Sequence, residues 1–237
     1  MTRTITFGVD GKVFEKVPAF RRVIVSATVP RPLPKSVDLG ENLLKACSPY
    51  QLMPAEAIVE LPEICAWRRA FKGVGINPGK FRPAVEALVR RAARGDELAL
   101  GDPLIDLGTV ASLSGLCPVG VHPVDTLAGD IWLRPATRQD AFRISGDEVE
   151  VPDVGELVLV CDRAVLTRRW TWRQGVSGAV VRGASSLISV NVDALSDEAE
   201  NICVEQVLDL LEVLGADRHG AVRLSAGYPE GRLKWPG

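Results

Sequence analysis

Trp67-Arg68-Arg69-Ala70-Phe71-Lys72-Gly73-Val74-Gly75 opens the most informative part of the chain, and His122-Pro123-Val124-Asp125 lies near its far end. Between them stand Lys80-Phe81-Arg82-Pro83-Ala84-Val85-Glu86-Ala87-Leu88 and Asp102-Pro103-Leu104-Ile105-Asp106; Gly129-Asp130-Ile131 follows. In the first segment Trp67, Ala70 and Phe71 share one helical face and leave Arg68, Arg69 and Lys72 outside. Pro83 suits the first turn of a second helix, with Val85, Leu88, Val89 and Ala92 on one side and Gly95 as its stop. Asp102 is an N-cap and Pro103 a first-turn proline for a third helix, so largely uncharged from Leu104 to Leu113 that it is predicted to be buried. The stretch Gly73 to Lys80 invites comparison with a phosphate loop. It fails, because Val74 stands where the first glycine is needed and Phe81 where a Ser or Thr should follow the lysine to ligate the metal ion.

Outward from this block the chain changes character. Before it, Val23 to Val29 is a β-branched run stopped by Pro30, Pro32 and Pro34, and reads as a buried strand. From Glu41 to Lys72 the pattern is helical in pieces, with Pro54 and Pro62 placed to begin helices. After Gly129, strand-like runs cover 131–134, 156–161, 164–170, 176–182 and 187–192. Ser196 caps a last helix striped by Val204, Val207, Leu208, Leu211 and Leu214, and 221–226 reads as one more strand. Strand, helices, many strands, helix, strand is an α+β order without the alternation of a doubly wound fold. No linker, repeat or low-complexity run divides it, so residues 1–237 are expected to form a single domain.

The absence of an apolar run of membrane-spanning length and of a secretory leader pattern predicts a cytoplasmic protein with no membrane partner. Five cysteines, at 47, 65, 117, 161 and 203, are scattered singly, which predicts reduced and mostly buried thiols. With no histidine pair or thiol cluster, neither a metal nor another cofactor is expected.

The net charge of −2 argues against nucleic acid as a partner until its distribution is read. Residues 67–94 carry eight cations, Arg68, Arg69, Lys72, Lys80, Arg82, Arg90, Arg91 and Arg94, against Glu86 alone. Residues 163–182 hold Arg163, Arg168, Arg169, Arg173 and Arg182 without an acid, and 193–217 are acidic throughout. These blocks are either a basic and an acidic face or ordinary solvated surfaces, and charge alone favours the second.

Only His122 and His219 can serve histidine chemistry. His122 lies on a turn between the apolar helix and a strand, with Asp125 placed to orient its ring; His219 lies in a polar turn expected to face solvent. From the residues alone, a structural histidine is the commoner outcome. Ser177 lacks the spacing of a nucleophile elbow. Read as a strand, Arg168 to Arg173 would put Arg169, Thr171 and Arg173 on one face and Trp170 and Trp172 on the other, suited either to phosphates and stacked rings or to a half-buried core strand.

Taken in order, the quoted segments resemble the B-three and B-four domain pair of the phenylalanine–tRNA ligase beta chain and its stand-alone relatives, over about Val17 to Val192. Arg169-Trp170-Thr171-Trp172-Arg173 is similar to the stand-alone branch in particular. The resemblance implies a three-layered α+β fold with a β-sandwich and flanking helices, and a cleft that hydrolyses wrongly charged aminoacyl-tRNA. It implies that His122 and Asp125 line the catalytic part of that cleft, that Gly108, Thr109, Trp170, Gln174 and Asn191 surround the amino acid, and that Arg68, Arg69, Lys80, Arg82, Arg169 and Arg173 hold tRNA.

The sequence also departs from the ligase. A Thr-Asn pair becomes Gly108-Thr109, a glycine becomes Trp170, and a recognising glutamate becomes Asn191. These changes remove room and charge for a tyrosine ring, so the expected substrate is a tRNA carrying a small amino acid, deacylated in trans. The alternatives are an RNA-binding module without catalysis and a pocket for a free small amino acid. The chain is not expected to be a ligase itself.

Overall fold

The computed structural model describes residues 3–33, 37–127, 129–178 and 185–235. In chain order, β1 (Arg3–Val9), α1 (Gly11–Lys16) and β2 (Arg21–Thr28) lead into α2 (Gly40–Cys47), α3 (Ala55–Glu60), α4 (Pro62–Gly73), α5 (Ala84–Arg94) and α6 (Pro103–Gly115). Then come β3 (Val119–Pro123), β4 (Ile131–Pro135), β5 (Phe142–Ser145), β6 (Glu148–Glu150), β7 (Leu157–Cys161), β8 (Ala164–Arg168) and β9 (Arg173–Gln174). β10 (Leu187–Ala194), α7 (Asp197–Val213), β11 (Asp217–Leu224) and β12 (Glu230–Trp235) complete it.

This is a mixed α+β fold of two principal sheets with flanking helices. One sheet runs β12-β1-β4-β7-β8-β9, the other β11-β2-β10-β3, and β5-β6 form a separate hairpin. The segments around the helices behave as their residues dictate. Asp102 accepts the Leu104 N–H as the α6 N-cap, Ser196 accepts that of Ala199 for α7, and Gly95 ends α5 in the left-handed region at φ 74°.

β10 explains how the layers meet. Ile188, Val190 and Val192 point one way, while Ser189, Asn191 and Asp193 point the other, as period two requires. Its register places Ser189 between Ser26 and His122, Asn191 between Ile24 and Gly120, and Asp193 opposite Arg22. On β3, Val119 and Val121 meet α6 across a cavity, whereas Gly120 and His122 look towards Leu159 and Thr167 of the other sheet. The four-stranded sheet therefore has helices on one face and the six-stranded sheet on the other. β7 is buried on both faces: Leu157, Leu159 and Cys161 join the main core, Val158 and Val160 a smaller one closed by Phe142 of the hairpin.

Several expectations change. The strand expected over 164–170 stops at Arg168, because Arg169 and Trp170 turn into the left-handed region at φ 44° and 65°. Of the strand expected over 176–182, Val176–Gly178 form a 3-10 turn that includes Ser177, and 179–182, with Arg182, lie outside the described residues. His219 sits in β11 and shares a 2.6 Å hydrogen bond with the Thr28 hydroxyl instead of facing solvent alone. The last strand expected over 221–226 is β11, shifted to 217–224, and β12 beyond it pairs with β1. No helix among the described residues is long and apolar enough to cross a membrane.

Candidate functional site

β3 brings His122 to the inner face of its sheet, where it is 1% exposed. Its Nδ1 lies 2.8 Å from the Gly178 carbonyl oxygen. A carbonyl only accepts, so Nδ1 carries the hydrogen and Nε2 presents a lone pair. Burial pushes the imidazole down to about 4, outweighing the opposing effect of the Gly178 hydrogen bond, and the ring is neutral at physiological pH.

Beside Nε2 the chain leaves room. A Cβ at Gly120 would lie 3.0 Å from that nitrogen, so the glycine is what keeps the space open. Across the ladder from Gly120, Asn191 is 4% exposed, and its Oδ1 is buried with no hydrogen-bond partner among the described residues. An unmet buried amide oxygen costs on the order of 1–3 kcal/mol, a cost that a ligand or water removes. His122, Gly120 and Asn191 line one cavity of about 150 Å³, walled opposite by Leu159, Thr167, Trp170 and Trp172 and edged by Gln174.

The floor is an ion pair. Arg22 grips Asp193 through Nε (2.5 Å) and a terminal nitrogen (2.8 Å), and both side chains are buried. Trp170 Nε1 donates to the same carboxylate at 3.2 Å. The Trp170 ring stacks on Phe71 (5.7 Å, 10°) and meets Phe20 and Trp67 edge-on at 5.0 and 5.3 Å. The Thr167 hydroxyl donates to the Trp170 carbonyl, and the Trp170 N–H to Leu157 O. These contacts hold a conformation costing about 1–3 kcal/mol for a non-glycine residue.

His122, Trp170, Gln174 and Asn191 are thus brought together. Gly108 and Thr109 are not part of that cavity. They line an adjoining one of about 380 Å³ with Ile105, Ser112, Val121 and Val176, which shares Ala84, Val119 and Gln174 with the first. Thr109 turns its hydroxyl back to Ile105 O (3.3 Å) and Ser112 donates to Gly108 O (2.7 Å), so neither points a free donor into that space.

Asp125 does not orient His122. It is exposed just past the end of β3, and its Oδ2 accepts the N–H groups of Ser186 (2.9 Å) and Leu187 (3.4 Å), pinning the start of β10. Gly178 occupies the ring position that Asp125 was expected to fill.

The basic blocks are also rearranged by the fold. Glu86 is fully buried and collects Arg68 (2.8 Å), Arg90 (3.0 Å) and Arg82 (3.8 Å). Arg168 pairs with Glu150 and Glu156, and Arg169 with Asp153 and Glu156, acids supplied by the segment before β7. Arg169 also lies 3.8 Å over the Phe81 ring, which meets Trp172 edge-on, so Arg169 and Trp172 share one cluster and are not on opposite strand faces. Arg173 is exposed, 4.0 Å from Glu150 and 5.7 Å over the Phe142 ring, and Arg69 and Lys80 are exposed, Lys80 over Phe81 at 5.2 Å.

The B3/4 domain pattern matches residues 66–190, more than half of the chain. The chain belongs to the B3/4 domain family. The B3/4 match runs from α4 to β10 and takes in His122, Trp170 and Gln174, while Arg22, Asn191 and Asp193 stand outside it. Among solved structures, an N-terminal fragment of the phenylalanyl-tRNA synthetase beta-subunit from Pyrococcus horikoshii aligns with 98% of this B3/4 chain and 69% of its own at 11% identity and a TM-score of 0.45, a likeness too distant to speak for activity. No curated protein matches.

Arg22, Gly120 and Asp193 went unrecognised in the sequence. Asp193 reads there as the start of an acidic segment, yet Ser189, Asn191 and Asp193 alternate inside a β-branched run, the period of a polar strand face. No group of three or more His, Cys, Asp or Glu among the described residues is placed to hold a metal.

Proposed function

We propose that this B3/4 protein is a trans-acting hydrolase that removes an amino acid from mischarged tRNA. Membership of the family, with the resemblance to the phenylalanine–tRNA ligase beta chain, supports a tRNA-related function and aminoacyl-tRNA as the substrate class. The observation that carries the hydrolytic reading is the pairing, around one cavity, of a neutral His122 whose Nε2 accepts with the unmet Oδ1 of Asn191. A water donating to both keeps its lone pair for an ester carbonyl. At about 4 the imidazole is a weak base, so its contribution is chiefly to position the water, which suits an ester that is already labile. About 150 Å³ between Trp170 and Asn191 favours a small amino acid.

Exposed Arg69, Lys80, Arg82 and Arg173 are the cations best placed to meet tRNA phosphates. A panel of mischarged tRNAs incubated with the protein tests the reading: loss of the ester is expected faster than in buffer and strongly reduced in His122→Ala and Asn191→Ala. Equal loss with and without protein for every tRNA would refute it.

A second reading is a pocket for a free small amino acid. The ion pairing of Arg68, Arg168 and Arg169 favours it, since each is engaged within the fold. It predicts binding that needs no tRNA and has a shallow salt dependence.

A further inference from the structure

Two tryptophans wall the His122 cavity, and the fold treats them differently. Trp170 is 1% exposed and packed into the core, whereas Trp172 is half-buried, so its ring borders both the cavity and solvent. The left-handed pair Arg169 and Trp170 makes this possible: the chain doubles back, and the Trp172 N–H bonds the carbonyls of Arg168 and Arg169 at 3.2 Å. Phe81, also half-buried, meets the Trp172 ring edge-on at 4.8 Å. The Arg169 guanidinium lies over both rings, 3.8 Å from the centre of Phe81 and 5.3 Å from that of Trp172. Asp153 and Glu156, at 3.2 Å each, fix it there. The Thr171 hydroxyl accepts the Ala84 N–H at 3.5 Å, which ties this turn to the segment that carries Phe81. Two aromatic rings are thus held in place on the rim of the cavity before any ligand arrives.

We infer that Trp172, supported by Phe81 and Arg169, is a stacking platform for the terminal adenine of the tRNA acceptor end. This platform presupposes the hydrolase reading of the His122 cavity and adds a seat for the nucleotide that carries the ester. About 150 Å³ admits an aminoacyl group and no nucleoside beside it, since pockets that enclose drug-sized ligands measure about 300–1,000 Å³. The terminal ribose and base therefore lie across the mouth, where Trp172 is the half-buried aromatic side chain of the lining. The adjoining cavity of about 380 Å³ has the room, but its lining is mainly aliphatic and holds no aromatic ring. Every base has a π face, and one base stacked on an aromatic side chain gains roughly 5- to 150-fold in affinity. Exposed Lys80, 5.2 Å over Phe81, and exposed Arg173, next to Trp172 in the chain, flank the platform and meet the phosphates that lead to it.

Uncharged tRNA transcripts test the platform without any ester: one complete, one with 2-aminopurine as its terminal base, and one that stops before the terminal nucleotide. The 2-aminopurine fluorescence is expected to be quenched on binding wild type and not on binding Trp172→Ala, while Trp172→Phe, which keeps a ring, restores most of the quench. Wild type is expected to hold the complete tRNA about tenfold more tightly than the shortened one, and Trp172→Ala to hold the two alike. The comparison of the two tRNAs on wild type needs no variant, so it decides the matter even if Trp172→Ala does not fold. Equal affinity of wild type for both, or a quench that persists in Trp172→Ala, would overturn the inference. Ester loss from the mischarged panel together with equal affinity would remove the platform and leave the hydrolase. A Trp172-dependent quench without ester loss from any tRNA would keep the platform as a site for an RNA end and remove the hydrolase.

Discussion

The indole N–H of Trp170 donates to Asp193 Oδ2 over 3.2 Å, and Arg22 clamps the same carboxylate. An aromatic wall of the cavity and its buried charge are therefore one unit. Asp193→Ala leaves the Arg22 guanidinium buried and unpaired, and is expected to cost about 3–5 kcal/mol. Trp170→Phe keeps a ring among Phe20, Trp67 and Phe71 and loses a hydrogen bond, for about 1–2 kcal/mol. Urea midpoints check the order; a Trp170→Phe loss equal to that of Asp193→Ala would mean that Arg22 is not relying on Asp193.

His122 ties stability to pH. Its imidazole titrates at about 4 in the fold and near the ordinary value of about 6.5 in the unfolded chain. Between these values the unfolded chain binds more protons, so acid favours unfolding. The stability associated with a neutral His122 is complete above about 6.5 and declines as pH falls towards 4, by roughly 3 kcal/mol in all. His122→Asn is expected to remove that slope from the window; the same slope in the variant would assign it to other groups. Deacylation, with a neutral ring throughout, is expected to be flat across neutral pH.

The segments that read most clearly in the sequence are those whose local chemistry agrees with their tertiary setting. Asp102-Pro103 and Ser196 begin helices because their side chains meet backbone N–H groups of the first turn, and Trp67, Ala70 and Phe71 are buried because helical spacing aligns them. The segment Arg168 to Arg173 misled because alternation presumes extended backbone, and two consecutive left-handed residues break it. His122 and Trp170 stand out from the residues themselves, Gln174 and Asn191 through the family resemblance, and the four meet around one cavity. Their partners were not visible, since the contacts of Arg22 with Asp193 and of Gly178 with His122 depend on strand register and loop closure. Charge blocks misled for the same reason: Glu150, Asp153 and Glu156 reach Arg168 and Arg169 only after folding.

The arginines and lysines should divide by environment. Arg68 is held by a fully buried Glu86, so Arg68→Ala is expected to lower stability and Glu86→Ala to lower it more, by about 3–5 kcal/mol, since three arginines converge there. Arg69 and Lys80 are exposed. Replacing both with Ala is expected to leave the urea midpoint unchanged, weaken tRNA binding, and reduce the salt slope of the binding constant by about 2. An unchanged slope would place the tRNA on another surface.

Two glycines separate the cavities. Gly120→Ala puts a methyl 3.0 Å from His122 Nε2, in a ring already anchored through Nδ1 to Gly178, so the ring cannot retreat without losing that bond. It is expected to cost roughly a hundredfold in deacylation, the scale on which a displaced reacting group is felt. Gly108→Ala meets Val119 O and Val121 at 3.5 Å, ordinary contact, and replaces a helical glycine, so it is expected to raise stability by about 1 kcal/mol and leave the rate near that of wild type. Thermal melts and single-turnover deacylation of the two variants separate these effects. If Gly108→Ala abolishes the reaction and Gly120→Ala spares it, the ester lies in the cavity beside α6, and His122 is a structural histidine.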